Sequence, residues 1–109
     1  MTTRIPFVML VLGLLVCPAG LGAAPKRATH TVTIDGARFS PAELTVKTGD
    51  TIVWVNKDIL AHTATAKEGA AFDSKVIQPG KSWRFVARKR GAFNYTCIFH
   101  PMDAKLTVK

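Results

Sequence analysis

The chain has 109 residues, 48% of them hydrophobic and 20% charged, enough for one domain with a modest core and no second one. Its 15 Lys and Arg against 7 Asp and Glu give a formal charge of +8, a balance that favours a partner with an acidic surface. Only Arg88-Lys89-Arg90 is a run of bases. No nucleic-acid-binding motif accompanies it, so a solvated turn accounts for it and no nucleic-acid partner is expected.

Residues 1–24 read as an export signal. Arg4 supplies a positive start, Ile5 to Val16 is almost wholly apolar, and Gly20, Gly22, Ala23 and Ala24 offer small residues to a signal peptidase. Cleavage is expected near Ala23 or Ala24. Spanning a bilayer takes roughly 20 apolar residues, so a retained anchor is the weaker reading and no stable membrane insertion is expected. A lipid on Cys17 would want a small residue where Val16 stands, which ranks a lipid-anchored form below plain cleavage. The expectation is a periplasmic, monomeric domain of residues 25–109. Small exported domains often lean on a disulfide or a metal for stability. Cys17 leaves with the signal, so Cys97 has no cysteine to pair with. A lone thiol in an oxidising compartment needs another use, of which metal ligation is one.

From Thr29 onward, stretches rich in Val, Ile, Thr and aromatics are each ended by Gly, Pro, Asp or Asn. Strands are expected at Thr31 to Ile34, Leu44 to Lys47, Thr51 to Asn56, His62 to Ala66, Ser82 to Val86, Ala92 to Cys97 and Lys105 to Lys109. Turns are marked at Lys47-Thr48-Gly49-Asp50, Gln78-Pro79-Gly80-Lys81 and Lys89-Arg90-Gly91. No segment keeps an apolar period near 3.6, so no long helix is expected. About seven to eight short strands at this spacing argue an all-β sandwich of two sheets. Alternation turns Trp83 and Phe85 inward, and places Phe93, Tyr95 and Cys97 on one face, so Cys97 ends a strand beside core aromatics. Trp54 and Phe72 join that core. His30 reads as a solvated residue near the mature N-terminus.

The informative segment is Tyr95-Thr96-Cys97-Ile98-Phe99-His100-Pro101-Met102, taken together with His62. A thiolate, an imidazole and a thioether lie within six consecutive positions, and a second imidazole from another strand would complete a set. Two histidines and a cysteine in a plane, with a weak axial methionine, are the ligands of blue-copper electron-transfer sites. Met102 is the only methionine after the signal. Each residue alone has a plain reading: Cys97 as a small buried hydrophobe, Met102 as core filler, His62 as a half-exposed strand-end histidine. The four together, in this order and behind a signal, favour one copper ion held by His62, Cys97, His100 and Met102.

These residues carry a resemblance to the cupredoxin (blue-copper protein) family, most like its amicyanin, plastocyanin and pseudoazurin groups. The resemblance rests on Phe39-Ser40-Pro41, Leu44-Thr45-Val46, Gly49 to Asn56, His62-Thr63, Phe72-Asp73-Ser74, Pro79-Gly80 and Gly91 to Pro101 in order. It implies a Greek-key β-sandwich with the metal at one end. It also implies His62 and His100 as imidazole ligands, Cys97 as thiolate and Met102 as axial thioether. Amicyanin-like loops place two residues between the second histidine and the methionine, whereas Pro101 alone separates His100 from Met102, and the carbonyl of Ala61 is a further candidate neighbour. Several relatives carry asparagine at the position of Thr63, whose hydroxyl is expected to tie the two ligand loops together.

The implied function is that of an electron carrier and not an enzyme, shuttling single electrons with a redox partner such as an acidic cytochrome or dehydrogenase. The alternative is a periplasmic copper-handling protein without redox turnover, although storage would call for more Met and His. A structural zinc site makes poor use of a thioether. A cysteine hydrolase lacks a cleft and an acid to orient His100. An inert immunoglobulin-like module leaves the lone thiol unexplained.

Overall fold

A computed structural model describes residues 26–109 as an all-strand structure. The expected signal peptide of residues 1–24, with Cys17, lies outside the described residues. The strands are β1 (Thr29–Ile34), β2 (Phe39–Ser40), β3 (Glu43–Val46), β4 (Thr51–Asn56), β5 (Thr65–Ala66), β6 (Ser82–Val86), β7 (Gly91–Thr96) and β8 (Asp103–Val108). Among the described residues no helix is long and apolar enough to cross a membrane.

Two four-stranded sheets form, in the orders β2-β1-β4-β6 and β3-β8-β7-β5. The parallel pairs β1–β4 and β3–β8 join strands separated in the chain, so the path crosses between sheets as the Greek-key expectation requires. Alternation decides which side chains line the space between the sheets. Val32 and Ile34 of β1, Ile52, Trp54 and Asn56 of β4, Tyr95 of β7, and Ala104, Leu106 and Val108 of β8 are all buried, while their neighbours are partly or fully exposed.

Trp54 is the centre of an aromatic cluster, with ring centroids 5.5 Å from Phe72, 5.4 Å from Trp83 and 5.6 Å from Tyr95. Trp83, Phe85 and Phe93 pack against this core but stay partly exposed. The reason lies in the sheet order: β6 is an edge strand, and β7 has only the two-residue β5 on its outer side, so these inward faces are incompletely covered. His30 is not simply solvated. Its Nε2 lies 2.9 Å from the Asp50 carboxylate, which also accepts the N–H groups of Ala28 and Lys47.

One expected strand is shorter in the structure. His62 to Ala66 contributes only Thr65–Ala66 to a sheet, and His62 makes an isolated bridge to Ile77. The N–H of Thr63 points to the Cys97 sulfur at 3.4 Å and that of Ala64 to Ser74 Oγ at 2.8 Å. Side chains take the bonds that a ladder would otherwise use.

Candidate metal centre

His62 is held from both sides before any ion is considered. Its backbone pairs with Ile77, His62 N–H to Ile77 O at 3.2 Å and Ile77 N–H to His62 O at 2.8 Å. The preceding loop is folded by Asn56, fully buried at the end of β4, whose amide donates to the carbonyls of Leu60 and Ile77 at 2.8 and 2.9 Å. Asn56 Oδ1 accepts the N–H of Asp58 at 2.9 Å. That turn puts the Asp58 carboxylate 2.9 Å from His62 Nε2. The N–H of Ala37, then His62, then the N–H of Ile59 hold the Asp58 carboxyl below its ordinary range, so it is ionised at neutral pH. A carboxylate only accepts, so Nε2 carries the proton and the Nδ1 lone pair faces inward.

Cys97 follows β7 directly, and the antiparallel β7–β8 ladder closes the short loop behind it. Met102 N–H donates to His100 O at 2.8 Å across Pro101, and Met102 O accepts from Thr96 Oγ1 and from Cys97 N–H. The Met102 side chain is buried. Burial pushes the Cys97 thiol up. The contacts with His100, the N–H of Phe99, the N–H of Thr63 and His62 outweigh it and bring the thiol down to about 6. Its sulfur is therefore largely thiolate at neutral pH. Both N–H groups lie 3.4 Å from Sγ.

His62 Nδ1 is 3.6 Å and His100 Nδ1 3.8 Å from Cys97 Sγ, and the candidate ligand atoms of the three residues lie within 4.8 Å of one another. Metal bonds of about 2.3 Å to sulfur and about 2.1 Å to nitrogen separate the two donors by roughly 3.6 Å at a tetrahedral angle and 3.8 Å at a trigonal one. The spacing therefore fits one small first-row ion. A thiolate with two imidazoles, and a buried thioether one residue past Pro101, is a donor set suited to copper.

Thr63 bridges the two ligand segments: its Oγ1 accepts the N–H of Ile98 at 3.0 Å. The residues that sequence reasoning missed are Asp58 and Asn56. No spacing rule links a loop carboxylate to a histidine four positions on, and Asn56 reads simply as a strand end. The exposed large hydrophobics recorded among the described residues are Ile59, Leu60, Val76, Ile98 and Phe99. All five sit on the segments that carry the site or pair with it. His62 is fully buried, whereas His100 is partly exposed among them.

Known proteins share this arrangement of strands. The Cupredoxin-like domain family matches residues 6–108. Amicyanin of Paracoccus versutus is 28% identical over 97 residues, 84% of this chain and 73% of that protein. The solved structure of an amicyanin mutant in its Cu(I) form superposes with a TM-score of 0.70 at 26% identity, over 74% of this chain and 82% of that one. A purple cupredoxin from Nitrosopumilus maritimus has the same fold, with a TM-score of 0.68 at 23% identity over 73% of this chain and 99% of that one. A family match that runs nearly end to end, on two sheets that bring a cysteine and two histidines together at one end, shows that the chain belongs to the cupredoxin-like family.

Proposed function

We propose that this protein is an exported, monomeric electron carrier that works with one blue-copper ion. His62, Cys97 and His100 would hold it through two imidazoles and a thiolate, with the Met102 thioether as a fourth donor. The observation that carries the reading is the convergence of both Nδ1 atoms on an ionised Cys97 sulfur, at 3.6 and 3.8 Å. Bound copper supplies a one-electron couple between a divalent state that prefers nitrogen and oxygen and a monovalent state that prefers sulfur. The chain's part is to keep the donors still. Asp58 fixes the ring of His62, two N–H groups hold the Cys97 sulfur, Thr63 locks the segments together, and β8 braces the loop. A site that does not rearrange exchanges electrons quickly.

The partly exposed imidazole of His100, beside the exposed Phe99 ring at 6.4 Å and on the loop that also exposes Ile98, is the route in and out. An apolar rim permits close approach of a partner, and the positive chain steers one with an acidic surface, such as a cytochrome or dehydrogenase. Periplasmic location follows from the signal reading of residues 1–24. Electrode voltammetry of the copper-loaded protein tests the reading. A fast, reversible one-electron wave is expected. A sluggish or irreversible wave contradicts electron carriage and leaves copper handling without turnover as the better account.

A further inference from the structure

At the pole opposite the copper loop, the fold gathers cations that are far apart in the chain. The segment before β1, the turn between β3 and β4, and the end of β6 are stitched together. Thr51 N–H donates to Ala28 O, Gly49 N–H to Ala87 O and Ala87 N–H to Asp50 O, at 2.9, 2.6 and 2.9 Å. Gly49 has φ +97°, and the Arg27 side chain lies where a Cβ there would come within 3.2 Å of Nε. These turns present Lys26, Arg27, Lys47, Arg88, Lys89 and Arg90, all exposed. None of the six takes part in the ion pairs of the described residues, and residues 1–25 contain no Asp or Glu.

The acid in their midst is turned inward. Asp50 is buried and spends its charge on the N–H groups of Ala28 and Lys47 and on His30, and Glu68 lies across a groove from Arg88 and Lys89. The recorded exposed large apolar side chains all lie at the copper end. A surface dense in cations, whose nearest apolar side chains, Phe85 and Phe93 in the groove beside Arg88, are only partly exposed, has the character of attraction to an anionic sheet, since a protein interface would want an apolar centre.

We infer that this basic pole binds anionic phospholipid surfaces peripherally, standing the domain on the membrane with the His100 edge turned outward to partners. Attraction of this kind grows with each Lys or Arg near the surface and falls as salt shortens the Debye length. The membrane binding needs no copper and no electron transfer, so it stands or falls apart from the proposed function; only the role of the outward His100 edge rests on that reading.

The test is vesicle co-sedimentation of residues 26–109, which hold all the strands and the core described. The vesicles are phosphatidylcholine alone, or phosphatidylcholine with about a third phosphatidylglycerol. Binding to the anionic vesicles alone is expected, lost at 0.5 M salt. The triple variant Arg88→Gln, Lys89→Gln, Arg90→Gln is expected to bind about a hundredfold more weakly. A triple of equal charge change elsewhere, Lys57→Gln, Lys81→Gln, Lys105→Gln, is expected to bind within a few-fold of the parent. Unchanged circular dichroism shows that each variant folds. Equal sedimentation with both vesicle types, or equal losses in the two triples, overturns the proposal. So does binding to poly-glutamate without binding to vesicles, which assigns the pole to an acidic polypeptide.

Discussion

The Asp58 carboxylate touches His62 on the side away from Cys97, so it acts on the proposed metal site by fixing which nitrogen faces inward and at what angle. Outer partners of this kind typically change metal affinity by 10–100-fold. Asp58→Ala is therefore expected to weaken copper binding by about that factor in a chelator competition, while the folded spectrum persists; an unchanged affinity would refute the role. Asp50 offers a pH test at the other pole. The N–H groups of Ala28 and Lys47, then the pair with His30, lower its carboxyl from 3.8 to about 2. A depressed acid stabilises the fold when ionised, so its contribution is complete above pH 4 and is lost as pH falls toward 2. Asp50→Asn is expected to melt lower than the parent at pH 7 and to converge with it near pH 2. A gap independent of pH would contradict this account.

At the level of elements, most strands were legible because alternation in segments such as Thr51–Asn56 and Asp103–Val108 survives in the structure. The exceptions have physical reasons. Two residues, Phe39–Ser40, are too few to show a period. The stretch from His62 has β-forming residues, but Ser74 Oγ and the Cys97 sulfur take the N–H groups of Ala64 and Thr63. The candidate ligands Cys97, His100 and Met102 stand out in the chain because they share one loop, whereas the bracing of His62 does not, because it passes through Asn56 and Asp58. Asn56 is the keystone of that loop, donating to the carbonyls of Leu60 and Ile77 from a fully buried position. Asn56→Ala leaves those groups without their partner, so a loss of about 2 kcal/mol is expected in urea unfolding of the copper-free protein. A loss below a few tenths would show that the loop holds its shape without Asn56.

Across the whole molecule the two ends of the sandwich differ in character. One carries the converging His62, Cys97 and His100 within an apolar rim, the other six exposed cations around the inward-facing Asp50. The sequence shows only the run Arg88-Lys89-Arg90, because Lys26, Arg27 and Lys47 reach it through sheet pairing alone. Both ends depend on the same core. Trp54 touches Phe72, Trp83 and Tyr95, and Trp54→Ala is expected to cost about 4 kcal/mol in denaturant unfolding. That is a large share of the roughly 5–15 kcal/mol such a domain has, and a cost under 1 kcal/mol would place the core elsewhere. The central claim, that His62, Cys97 and His100 hold blue copper, is tested most directly by titrating copper(II) into the purified protein and into Cys97→Ser. The parent is expected to develop an intense thiolate-to-copper visible band with narrow hyperfine splitting in electron paramagnetic resonance, both absent from the variant. Weak binding with an ordinary tetragonal spectrum, the same in both proteins, would contradict it.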